Sequence, residues 1–84
     1  MKNKILIELI VPEIEKTYNV YIPINRRIGN IISLLNKSVY ELSNGVYQEN
    51  NKAALYNRDT GTKYNINYLV RATDIRNGTS LVLL

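Results

Sequence analysis

Asp74-Ile75-Arg76-Asn77-Gly78-Thr79-Ser80-Leu81-Val82-Leu83 brings an apolar plug, a tight turn and an apolar strand together in one short stretch. Asn-Gly is the dipeptide that most readily takes the positive φ of a tight turn, so the chain is expected to reverse at Asn77-Gly78. Ser80 to Leu84 is then nearly continuous in apolar character. Such a run suits a central strand flanked on both sides. A central strand needs neighbours, and the residues upstream have to supply them.

Working back from that strand, Ala53 to Asn57 reads as a short strand. Arg58-Asp59-Thr60-Gly61 supplies turn residues, with Gly61 where positive φ is needed, and Thr62-Lys63-Tyr64 returns antiparallel. Asn65 to Ile75 is irregular, with Leu69 and Ile75 as core plugs, and Val46 to Lys52 is a polar loop. At the other end, residues 4–11 form a strand rich in β-branched side chains. Glu8 facing water places Leu6 and Ile10 on its face and turns Ile5, Ile7 and Leu9 to the core. Pro12 to Lys16 is polar enough to turn. Thr17 to Pro23 alternates, with Tyr18, Val20 and Ile22 on one face and Asn19 and Tyr21 on the other, so the two runs predict an antiparallel hairpin. Pro23 ends the pairing because it has no N–H to give.

Between these halves Ile28, Ile31, Ile32, Leu35, Val39 and Leu42 recur at steps of three and four. That spacing makes one apolar helix stripe, with Asn25 as the expected cap and Gly45 as the left-handed stop. The element order is ββαββ, loop, β. Residues 1–84 read as a single domain of two layers, one helix across one face of a mixed sheet, in the α+β class. The predicted core includes Ile31, Leu35, Leu55, Leu81 and Leu83.

The order is that of the β-grasp, and the residues extend the likeness. Asp74 to Leu83 resembles the closing segment of ubiquitin-like proteins, and Ile28-Gly29-Asn30-Ile31 resembles the start of their helix, reached after a strand and a proline-containing bend. Within that group the chain resembles the EsaB/YukD family of bacterial type VII secretion systems, which shares the length and the Asn-Gly turn before the last strand. The resemblance implies a cytoplasmic accessory or regulatory component of an ESX-like machine that exports WXG100 proteins. It implies protein partners within that machine, contact with the membrane only through them, and neither a cofactor nor a small-molecule substrate.

Composition narrows the chemistry independently. Among 84 residues there is no cysteine and no histidine. Thiolate nucleophiles, imidazole bases, disulfides and most zinc chemistry are therefore excluded. The remaining Ser, Thr, Lys and Tyr residues follow no pattern that assembles acid, base and nucleophile, so the chain is expected not to be an enzyme. Gly61 and Gly78 lack the spacing of a phosphate loop, and Asp59 with Asp74 offers too few oxygens for calcium. Lys2 and Lys4 precede an apolar run, Ile5 to Val11, that Glu8 interrupts and Pro12 stops. It is too short for a membrane span, and with no small-residue cleavage site after it no export signal is expected. The net charge is +4, but the basic residues are scattered, with Arg26-Arg27 the longest cluster. Scatter of that kind argues against nucleic acid, which remains the alternative reading as a nucleic-acid-binding β-grasp domain. A second alternative is a modifier or sulfur carrier. That role needs a slim Gly-Gly tail, whereas the sequence reads Leu83-Leu84, so it requires a longer native C-terminus.

What remains is a surface. Tyr21 and Tyr56 are expected on the outer sheet face with Leu6, Ile10 and Val82, and Arg58, Lys63 and Arg71 are expected as a basic rim. Tyrosine joins a large contact area to a polar tip, which makes it a frequent binding anchor. Leu6, Ile10, Tyr21, Tyr56, Arg58 and Val82 are the candidate protein-binding residues, on the face that ubiquitin-like proteins use for docking.

Overall fold

The computed structural model describes residues 3–84. Strands β1 (Lys4–Val11) and β2 (Lys16–Pro23) form the first hairpin, followed by helix α1 (Ile28–Leu42), a short β3 (Leu55–Asn57) and β4 (Ser80–Leu83). The sheet order is β2-β1-β4-β3. β1 runs antiparallel to β2 and parallel to β4, and β3 runs antiparallel to β4. The strand after the Asn77-Gly78 turn is therefore central, between the first strand and β3. One helix crossing one face of this mixed sheet is the α+β ubiquitin-like β-grasp.

Alternation along each strand sends one set of side chains under the helix. Ile7, Leu9, Val11, Ile22, Leu55, Leu81 and Leu83 meet Ile28, Ile31, Ile32, Leu35 and Val39 of α1 in one buried cluster, with Ile5, Tyr18 and Val20 packed at its margin. The stripe stops one turn early, because Leu42 lies in the last turn of α1 and is exposed. β4 alternates between half-buried and buried residues. Its apolar run is thus explained by a helix on one face and a half-exposed apolar row on the other, rather than by cover on both sides.

Four further expectations change. Thr62 to Tyr64 does not form a fifth strand, since only Tyr56 and Lys63 pair, as an isolated antiparallel bridge. Leu69 is half-buried while Val70 is fully buried. A 3-10 turn at Val70–Ala72 supplies the change of phase. Within the polar loop Tyr47 is buried. Its hydroxyl donates to Oδ1 of buried Asn36 at 2.7 Å, and the Asn50 N–H donates to the same oxygen at 3.0 Å. Asn36 Nδ2 in turn reaches the Ile32 and Asn50 carbonyls, both at 3.2 Å. A buried amide with four partners is satisfied and fastens the loop to the helix.

Finally, Asn25 does not cap α1. The residue before the helix is Arg27, which makes no side-chain cap. Instead the Ile28 and Gly29 N–H groups donate to the Tyr68 and Ile66 carbonyls at 2.8 and 3.0 Å. The 65–69 segment thereby satisfies the orphan donors that a cap would otherwise take. The helix ends at Leu42, and the left-handed stop begins one residue before Gly45, at Asn44 with φ +54°, followed by Gly45 at φ +82°.

Candidate docking face

The register of the four strands converts the sequence positions into rows across the outer sheet face. In the first row Thr17 lies opposite Ile10, Ile10 opposite Val82, Val82 opposite Tyr56, and Tyr56 opposite Lys63. Ile10, Val82 and Tyr56 are each half-buried. They form an apolar strip on adjacent strands with a cation at the β3 end. In the second row Asn19, Glu8 and Ser80 lie side by side, and the Ser80 hydroxyl donates to Glu8 Oε1 at 2.7 Å. The third row pairs Tyr21, 53% exposed, with Leu6. Two residues along a strand separate neighbouring rows on one face by about 7 Å. The apolar candidates therefore form two patches rather than one run, divided by a polar row.

The basic rim is smaller than expected. Lys63 stands beside Tyr56 through their bridge. Arg58 follows β3, its N–H donating to the Ser80 carbonyl at 3.0 Å, and its guanidinium sits 3.9 Å from the exposed Asp59 carboxylate. Arg71 does not belong to the rim. Its N–H donates to the Ile24 carbonyl at 3.0 Å, which places it beside the β2–α1 link at the far side of the fold.

Behind β3 lies a polar brace that the sequence reading missed. Asn57 Nδ2 donates to the Tyr64 hydroxyl at 3.0 Å, and that hydroxyl donates to Asp74 Oδ1 at 2.7 Å. Asn57 Oδ1 receives the Asp59 and Thr60 N–H groups at 2.8 and 3.1 Å. Burial, then the bond to Asp74, pushes the Tyr64 phenol up to about 12. Burial, then Glu13 and Glu49, also raises the Tyr47 phenol. Both hydroxyls stay protonated near neutrality and act as structural donors. At the edge of the face, Leu84 exchanges two backbone hydrogen bonds with Ala54, at 2.9 and 3.0 Å. This continues the β3–β4 ladder to residue 84.

The Ser80 hydroxyl on the face gives its hydrogen to a carboxylate, and among the described residues no group of three or more acidic side chains could hold a metal. Half-buried apolar side chains held on rigid strands can receive an apolar side chain from a partner, with Glu8, Lys63 and Arg58 placed to select its charged neighbours.

No family model matches the sequence, and no curated protein is similar to it. Solved structures do share its form. A chain of the MycP5-free ESX-5 inner membrane complex aligns with a TM-score of 0.72 and 16% identity, over 98% of this chain and 21% of that one. This chain thus spans about a fifth of the length of that ESX-5 protein. A ubiquitin-like domain from Arabidopsis thaliana aligns with a TM-score of 0.64 and 14% identity, over 98% of this chain and 77% of that one. A chain of the toluene 4-monooxygenase HD complex aligns with a TM-score of 0.75 and 6% identity, over 95% of each chain. Identities this low establish the shared ubiquitin-like fold and leave function to the surface.

Proposed function

We propose that this ubiquitin-like domain is a non-catalytic, protein-binding accessory or regulatory component of a bacterial type VII secretion system, acting on the cytoplasmic side. The observation that carries the docking role is the Ile10–Val82–Tyr56 strip, a half-buried apolar row on three adjacent strands that ends at Lys63. Support for the secretion setting comes from the likeness in sequence to the EsaB/YukD family and the likeness in form to an ESX-5 membrane-complex chain. No helix among the described residues is long and apolar enough to cross a membrane. Attachment to such a machine through its proteins is part of the same proposal.

The test is site-specific cross-linking in a host that carries the secretion genes. A photo-reactive phenylalanine replaces Tyr56 in one strain and Lys37, on the exposed side of α1, in another. The reading requires adducts with a component of the secretion machine from position 56 in excess over position 37, identified by mass spectrometry. Equal yields from both positions, or adducts only with unrelated proteins, would contradict it.

A further inference from the structure

We infer that the end of the domain where β1 begins, β2 finishes and α1 starts is a membrane-docking surface, one that rests on an anionic phospholipid bilayer through Ile66, Tyr68 and the cations around them. The inference adds a direct lipid contact to the protein contacts proposed above. It uses a different surface from the outer sheet face and does not depend on the secretion setting.

Basic residues that are scattered along the chain are gathered by the fold. Lys4 opens β1 opposite Pro23, the last residue of β2. Arg26 and Arg27 follow in the link to α1, and Lys4 and Arg26 border one cleft. The 68–71 segment runs antiparallel to that link. Arg27 bridges Leu69, the Val70 N–H donates to the Arg26 carbonyl at 2.9 Å, and the Arg71 N–H donates to the Ile24 carbonyl at 3.0 Å. Arg71 thereby reaches the same end. So does Arg76, because the turn that follows it is bonded to the start of β1. The Leu6 N–H donates to Asn77 Oδ1 at 2.7 Å, and the Gly78 N–H donates to the Leu6 carbonyl at 2.8 Å. Lys4, Arg26, Arg27, Arg71 and Arg76 are all exposed. Among the described residues none of them is paired with a carboxylate.

Most carboxylates lie at the opposite end. Glu13 and Glu15 sit at the turn between β1 and β2, and Glu41 lies in the last turn of α1, which adjoins that turn. Glu49 lies in the loop beside Glu13. Nearer the basic end, Asp59 faces Arg58 and Asp74 accepts the Tyr64 hydroxyl. The domain is therefore polarised along its length, and a negatively charged plane would orient it with the acidic end outward.

The apolar tips select lipid. Ile66 and Tyr68 are 55% and 56% exposed on the loop that seats the first turn of α1. Arg27 Nη1 donates at 2.6 Å to the carbonyl of Asn67, the residue between them. At a bilayer surface an aliphatic side chain enters the acyl boundary, a tyrosine sits at headgroup level, and arginines meet lipid phosphates. A nucleic-acid strand is held instead by cations that track a groove lined with aromatic platforms. Here the cations surround one end of the fold, and isoleucine offers no face for stacking.

The experiment is co-flotation of the protein with phosphatidylcholine vesicles made with and without phosphatidylglycerol, over a series of salt concentrations. The protein should float with the anionic vesicles, stay behind with the neutral ones, and be released as salt rises. Arg27→Glu and Arg71→Glu should each weaken partition by at least about tenfold. The Arg71 variant stands alone should thermal unfolding show that losing the Asn67 contact misfolds Arg27→Glu. Lys37→Glu, the same change of charge on the exposed side of α1, should keep partition within about twofold, and Tyr56→Ser should leave it unchanged. Because the sequence has no cysteine, Ile66→Cys carries a single environment-sensitive fluorophore. Its emission should shift to the blue on anionic vesicles, while the same label on Lys37→Cys should not shift. Failure to float with anionic vesicles would overturn the inference, as would equal losses from Arg71→Glu and Lys37→Glu or an unshifted label at position 66. Binding of a short single-stranded RNA, or self-association abolished by Arg71→Glu, in place of vesicle binding would overturn it and assign the basic end to that occupant.

Discussion

The Tyr64 hydroxyl donates to Asp74 Oδ1 across 2.7 Å and ties the hairpin after β3 to the segment that leads into β4. The bond has a pH signature. Burial and the Asp74 bond raise the folded-state phenol from 10.0 to about 12. The folded protein then holds a proton that the unfolded chain releases, so the contribution is complete below pH 10 and is lost as pH climbs from about 10 through about 12. The melting temperature of the wild type should fall more steeply across that window than that of Tyr64→Phe. Parallel curves would refute the assignment.

The helix stripe makes a prediction about position. Ile31 and Leu81 are fully buried, whereas Leu42 is 53% exposed. Ile31→Ala and Leu81→Ala should each cost ~2–5 kcal/mol, and Leu42→Ala should stay within ~0.5 kcal/mol. Urea denaturation measures all three. Losses below about 1 kcal/mol at both buried sites would mean that the faces are wrong.

Asn36 holds the 47–50 loop through three hydrogen bonds, and a fourth runs back to the Ile32 carbonyl of α1. Tyr47→Phe removes one and leaves Asn36 Oδ1 with the Asn50 N–H, a cost of about 1 kcal/mol. Asn36→Ala leaves the buried Tyr47 hydroxyl and the Asn50 peptide without partners, and should cost about 2–3 kcal/mol. Equal losses from the two variants would show that the amide is not the hub of the loop.

Two glycines should respond in opposite directions to alanine. A Cβ on Gly29 would sit 3.4 Å from the Ile66 carbonyl oxygen, an ordinary contact, in a helical position where alanine is favoured. Gly29→Ala should therefore be neutral or stabilising by up to about 1 kcal/mol. Gly78 has φ +91°, and Gly78→Ala should destabilise by about 1 kcal/mol or more even though nothing lies within 4 Å of the added carbon. Thermal unfolding of the pair separates backbone strain from space.

What the sequence made legible follows its periods. The alternation of residues 4–11 and 17–23 and the 3.6-residue stripe of α1 placed most of the buried aliphatic side chains that those three segments contribute, because periodic burial leaves a periodic trace. Non-periodic burial leaves none. Tyr47 is one aromatic in a polar run and Val70 lies in a single 3-10 turn, so neither shows a pattern, and Leu69 drew the assignment that belongs to its neighbour. Asn36 sits four residues after Ile32 on the buried face, a polar residue in an apolar stripe that could have signalled a hydrogen-bonded hub. On the docking face, Leu6, Ile10, Tyr21, Tyr56 and Val82 all lie on the outer side of the sheet. The polar row of Glu8, Asn19 and Ser80 that divides them emerges only from strand register, which residue order does not supply. Arg71 left the rim for the same reason, since the path of the 65–72 segment is a tertiary fact.

The most direct test of the docking face is titration of the protein against the component captured by cross-linking from position 56, with Tyr56→Ser and Lys37→Ala measured beside the wild type. Tyr56→Ser removes a half-buried outer-face ring, and Lys37 lies on the exposed side of α1. The account predicts that Lys37→Ala binds like the wild type and that Tyr56→Ser loses ~2 kcal/mol, about thirtyfold in Kd. Equal affinities for all three proteins, or no measurable binding by the wild type, would contradict it.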